Sequence, residues 1–190
     1  MVHRIVERLL ARPELLRSAS ARMTRAELDE TERQLGFDLP QTLRDIYVHV
    51  GNGGFGPHLG LFMGGVNGFE DEGYNIVTHY QLMRSQPERF GWPEKQLTFF
   101  HWGCACRCTL DCTVSDGAVA YHDPGYFETR FAEDDPDHVG DPVFENALPA
   151  FRLDAETLSC WFERWLAGKA RMAADGLPWS PDSDERRRKA

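Results

Sequence analysis

Four of the five cysteines stand close together, in the run Cys104-Ala105-Cys106-Arg107-Cys108 followed by Cys112. Thiolate sulfur binds zinc and attacks carbon, and each task sets its own geometric demand. A structural zinc ion takes about four nitrogen or sulfur ligands in a tetrahedron, commonly from C-x₂₋₄-C knuckles on turns. On a strand, C-x-C-x-C puts all three thiols on one face, spread along ~13 Å. One ion would reach all three only if the strand bent, with His101 and His122 completing the site. Catalysis would pair Cys104 or Cys108 with His101 or His122 as base and needs a third group to orient the base. Nothing in the sequence marks such a group, and a thiol buried on an apolar strand face is inert. The spacing favours cysteine used as a small hydrophobe. No catalytic residue, metal ligand or cofactor is assigned, and a metal-binding or thiol-dependent protein built on Cys104–Cys112 stands as the alternative reading.

Gly51-Asn52-Gly53-Gly54-Phe55-Gly56 has the spacing G-x-G-x-x-G. That fingerprint holds a pyrophosphate only where a strand precedes it and a helix begins within it. Here a helical pattern precedes and Pro57 follows, so the glycines are expected to serve a loop with positive φ. His49, His79, His101 and His122 form no HExxH pair, and neither a G-x-S-x-G nor a Walker sequence occurs. Asp111, Asp116 and Asp123 fall near strand ends, where Asp ordinarily bonds to turn N–H groups.

Charge offers a different chemistry. The chain has 21 basic and 30 acidic residues, a formal net charge of −9. A negative surface repels phosphate backbones and steers basic proteins inward. Nucleic acid is therefore not an expected partner. Glu70-Asp71-Glu72 and Glu133-Asp134-Asp135-Pro136-Asp137 lie in expected loops. Glu70, Asp71, Glu72, Glu133, Asp134, Asp135 and Asp137 are the candidate partner-binding residues, chosen by loop position and sign. No stretch approaches the ~20 apolar residues of a membrane span, and the first residues lack a secretory apolar core. The odd, clustered cysteines do not resemble a disulfide framework, so a cytoplasmic location is expected.

The elements that would position these groups follow from periodicity. Ile5, Val6, Leu9 and Leu10 recur at helical spacing, interrupted by Pro13. Thr24-Arg25-Ala26-Glu27 is a capping box, opening a helix with Leu28, Thr31 and Leu35 that stops at Gly36. Pro40 suits the first turn of the next helix, whose core face is Leu43, Ile46, Tyr47 and Val50. Leu59–Met63 reads as a short strand, and Asn75 as the cap of a helix with Ile76, Val77, Tyr80 and Met83. Gln96–His101, Ala105–Leu110 and Ala118–Tyr121 read as strands, the last two joined by a turn at Ser115-Asp116-Gly117, with a further strand at Tyr126–Phe131. Asp154 reads as the cap of a last helix bearing Leu158, Trp161, Phe162, Trp165 and Leu166, with Leu153 and Leu158 as a staple and Gly168 as the stop. Helices, grouped strands and a final helix predict an α+β fold, a mostly antiparallel sheet with helices packed on one face. The expectation is one domain over residues 1–177, its core about 24–168, followed by a polar tail, 178–190.

The order of these motifs resembles the SUKH superfamily. Ala26 to Pro40, with its Leu35-Gly36 and Leu39-Pro40 steps, is similar to the family's opening signature. Leu43-Arg44-Asp45-Ile46-Tyr47 and Gly51-Asn52-Gly53-Gly54 resemble its second helix and Asn-Gly-Gly turn. Phe99 to Cys104, Leu110-Asp111 and Asp116-Gly117-Ala118-Val119 resemble its central strands, and Phe151 with Thr157 to Phe162 its C-terminal helix. The Cys-rich strand and the acidic stretch from Glu128 to Asp141 depart from the pattern. The resemblance implies a non-enzymatic protein-binding role. Bacterial members resemble immunity proteins that neutralise partner toxins, often nucleases, and fungal relatives are cell-wall-assembly regulators. A basic toxin, or a larger complex in which the chain is a regulatory scaffold, is the partner so implied.

Overall fold

A computed structural model describes residues 4–56, 60–61, 64, 75–85, 91–103, 106–123 and 151–169. Helix α1 (Arg4–Leu10) buries Ile5, Val6 and Leu9, and Pro13 opens a 3₁₀ turn, Pro13–Leu16. At the start of α2 (Arg25–Leu35) the Thr24 hydroxyl accepts the Glu27 N–H at 3.2 Å, and Glu27 Oε2 accepts the Thr24 N–H at 2.7 Å. This is the capping box that the spacing predicts. Gly36 ends α2 at φ 80°, a conformation glycine adopts without steric cost. Glu32, buried at the end of α2, accepts the Leu39 N–H at 2.7 Å and lies 3.3 Å from Arg44 Nε, fastening the turn to the next helix.

Helix α3 (Gln41–His49) presents Leu43, Ile46 and Tyr47 to the core. Pro40 stands just before its first turn as the cap, with ψ 138°, rather than inside it. Its carbonyl accepts the N–H groups of Leu43 and Arg44, so proline's missing donor again does no harm. Asn75 caps α4 (Ile76–Ser85) by accepting the Thr78 N–H at 2.8 Å.

Among the described residues five strands occur, β1 (Gly60–Leu61), β2 (Gln96–Gly103), β3 (Cys106–Asp111), β4 (Val119–His122) and β5 (Phe151–Ala155). They form one antiparallel meander in chain order. With the helices this is an α+β fold. Strand β5 corrects the sequence reading, which placed Asp154 at a helix cap. Thr157 caps α5 (Leu158–Leu166) instead, accepting the Cys160 N–H at 3.1 Å. Residues 151–155 gain their backbone bonds by pairing with β4, a nonlocal option no local pattern reveals. The expected strand at 126–131 lies outside the described residues.

A register slip between Thr98 and Phe100 brings two consecutive rings to the same helix. Phe99 and Phe100 lie 5.3 and 4.9 Å from the Trp161 ring of α5. Each buried aromatic contributes roughly 1.5–3 kcal/mol, so this contact holds α5 against the sheet. Arg8 and Glu163 add an ion pair between α1 and α5.

The Gly-rich segment has a packing role. Ser20 donates its N–H to Gly53 O and Asn52 its own to Ala21 O, so chain 18–21 lies directly against the loop. A Cβ on Gly54, whose φ is +77°, would lie 2.7 Å from Ser18 O. Among the described residues of this loop, 51–56, no helix begins. At the β3–β4 turn Asp111 Oδ1 accepts the Thr113 N–H at 2.9 Å, while Asp116 Oδ1 accepts Ser159 N–H in the first turn of α5. Among the described residues no helix is long and apolar enough to cross a membrane.

Candidate functional site

Cys106 and Cys108 alternate on β3 and are buried, Cys108 completely, and Cys112 is buried just beyond the strand. Cys104 lies outside the described residues. Cys108 Sγ accepts the Trp102 indole N–H at 3.0 Å and stands 3.7 Å from Asp154 Oδ2. That oxygen also accepts the Trp161 indole N–H at 2.9 Å. Arg164 closes the group with 2.5 Å contacts to Asp154 Oδ1 and to the Asp154 carbonyl. The Asp154 side chain is 3% exposed. Burial, with the adjacent Asp154 charge, pushes the Cys108 thiol well above its usual range, and burial does the same at Cys112. Thiols so held stay protonated, which suits neither a nucleophile nor a metal ligand.

Register separates these thiols from the histidines. Cys108 pairs with Phe100 and Tyr121, whereas Arg107 pairs with His101 on one side and His122 on the other. Neighbouring residues of a strand face opposite ways, so His101 and His122 point away from Cys108 and no Cys–His dyad forms there. Among the described residues no group of three or more His, Cys, Asp or Glu could hold a metal ion.

The histidines belong to a second cluster that the sequence did not reveal. The indole of Trp92 is buried between His79 of α4 (ring centroids 5.8 Å) and His122 of β4 (5.1 Å), with Phe151 of β5 at 5.1 Å. His79 is 1% exposed and His122 3%. Burial first, then the Arg107 charge, hold both imidazoles down to a pKa of about 3, with His122 and His101 adding to the effect at His79. Both rings are therefore neutral at pH 7. Trp92 Nε1–H donates to Gln96 O at 2.6 Å, Gln96 Nε2–H to Thr109 Oγ1 at 2.7 Å, and Thr109 Oγ1–H to Ala120 O at 3.2 Å, spanning β2 to β4. The one available signal was positional. His79 shares a helical face with Ile76, Tyr80 and Met83, and His122 extends an apolar strand.

Glu70, Asp71, Glu72, Glu133, Asp134, Asp135 and Asp137 all lie outside the described residues. Their sequence context is nonetheless informative. Stretch 65–74 holds Glu70, Asp71 and Glu72 with no basic residue. Stretch 124–150 holds Glu128, Glu133, Asp134, Asp135, Asp137, Asp141 and Glu145 against Arg130 alone. The excess in these two stretches equals the whole formal charge of −9. The described residues carry almost equal numbers of acidic and basic side chains. Several of them are matched in space, as in Glu30 with Arg33, Glu32 with Arg44 and Asp154 with Arg164.

No curated protein matches the chain. A family model does, over residues 22–144, well over half the sequence and from the segment before α2 into the second acidic stretch. With the helix pair, the Asn-Gly-Gly turn and the antiparallel meander in that order, the chain belongs to the SMI1/KNR4 family, SUKH-1.

Proposed function

We propose that this protein is a non-enzymatic, cytoplasmic binding domain that neutralises a partner toxin with a basic surface, such as a nuclease. The observation that carries the reading is the confinement of net charge to stretches 65–74 and 124–150 of a SUKH-1 chain whose other residues are charge-balanced. Local excess charge of one sign speeds encounter with the opposite sign and fixes orientation. The buried, protonated thiols weigh against a thiol-dependent activity. Glu70, Asp71, Glu72, Glu133, Asp134, Asp135 and Asp137 form the contact set in this reading. Residues 1–177 act as one binding unit, followed by the polar tail 178–190. Co-expression with a toxin-like protein encoded beside this one tests the proposal. Restored growth with co-purification supports it. Co-purification with a cellular protein that is not toxic would favour a regulatory scaffold instead.

A further inference from the structure

The last four carbonyls of any α-helix find no partner inside the helix. At the end of α5 the chain turns back at Gly168, whose φ is +69°, and supplies three donors. Ala167 N–H reaches Glu163 O at 3.0 Å, Lys169 N–H reaches Arg164 O at 2.9 Å, and Gly168 N–H reaches Trp165 O at 2.8 Å. The fourth carbonyl, Leu166 O, accepts Arg12 Nη1–H at 2.6 Å, from the opposite end of the sequence. One turn earlier on each helix, Arg8 of α1 pairs with Glu163 of α5. Ile5, Val6 and Leu9 bury the inner side of α1, which packs on α3 and α5. Seven residues in α1 and nine in α5 are too few to hold a helix in water alone. Each keeps its shape through what it packs on.

Helix α5 in turn covers a thiol. The Trp161 ring packs on Phe99 and Phe100, and its N–H shares Asp154 Oδ2 with Cys108. Cys108 is completely buried there. Cys112 is buried too, yet its N–H bonds to Lys95 O at 3.0 Å and its thiol to Leu110 O at 3.7 Å, both outside α5.

We propose that α1 is a strap over α5, fastened by Arg8 and Arg12, and that unfastening it loosens α5 and uncovers Cys108 while the rest of the fold stays closed. The full chain and its Arg12→Met variant, which keeps an apolar stem and loses the donor, are compared by thiol labelling and amide exchange, both read by mass spectrometry. Relative to the unfolded chain, Cys108 of the variant should label about tenfold faster than Cys112, the weight of one charge-assisted bond. The amides of 167–169 and of Ala11, which bonds to Glu7 O, should exchange faster than in wild type by a similar factor. The Gly36 amide at the end of α2, bonded to Glu32 O, should keep its wild-type rate. Arg8→Glu alone should loosen both helices, and Arg8→Glu/Glu163→Arg should restore them. Equal labelling of Cys108 and Cys112 in the variant would overturn the proposal, since unfolding of the whole chain would then expose both. So would unchanged exchange at 167–169, or faster exchange there with Ala11 unmoved, because the two helices would then open separately. If Arg12→Met does not fold, the loss and recovery across the charge reversal decide in its place.

Discussion

Asp154 shows how a single residue can mislead and instruct. Its position before an apolar helix looks like a cap, yet its carboxylate is buried beneath α5 with Trp161, Arg164 and the Cys108 thiol. Replacing it by Ala would leave the buried Trp161 N–H without its acceptor and take the carboxylate from Arg164, which keeps the Asp154 carbonyl, at a cost on the order of 1–3 kcal/mol. Urea unfolding of Asp154→Ala measures this, and a change within about 0.5 kcal/mol would refute the described network. The cysteines give a second expectation. Cys160 is exposed whereas Cys106, Cys108 and Cys112 are buried, so a thiol reagent should modify Cys160 in the native protein. It should reach the other three only after denaturation, as mass spectrometry of labelled peptides can establish. The buried imidazoles give a third. Their folded pKa of about 3 lies below the ordinary 6.5, so the unfolded chain binds more protons between those values. Stability is therefore full above about pH 6.5 and falls as the pH drops, by about 2 kcal/mol per histidine at pH 5. Denaturation at pH 7.5 and 5.0 checks the sign; equal stability, or a gain in acid, would contradict it.

At the scale of elements, legibility follows how local the stabilising contacts are. The α2 capping box, the α4 cap at Asn75 and the Gly36 stop depend on residues three or four apart, and the sequence displays them. Thr24→Ala is expected to cost about 1 kcal/mol through the lost cap, and Thr157→Ala the same at α5, each measurable by thermal melting. Strand β5 was not legible, because Phe151–Ala155 becomes a strand only by pairing with β4 across residues 123–150. The cap at Thr157 was hidden for the same reason, since Leu153, Asp154 and Leu158 mimic a staple. The Cys run was legible as a strand with an inward face. What the sequence did not disclose was the knot around Trp92, where α4, the 91–95 connection, β4 and β5 meet through register alone. The candidate contact residues were legible as charge and only as charge.

Across the whole molecule the balance of signs separates a neutral scaffold from two acidic stretches. Under the proposed function, this division makes affinity for a basic partner an electrostatic quantity, to be measured against salt. Exposed charges are screened over about 10 Å at 0.1 M ionic strength, so affinity for a basic partner should weaken as salt rises, mainly through slower association. The most direct measurement of the proposed function is the affinity of wild type for the toxin against which co-expression restores growth, beside a variant with Glu70, Glu72 and Glu133 changed to Gln and Asp71, Asp134, Asp135 and Asp137 to Asn, each at 50 and 300 mM salt. The expected result is a wild-type affinity that falls with salt, and a folded variant that binds at least tenfold more weakly with little salt dependence. Equal, salt-independent affinities for the two proteins would contradict the account.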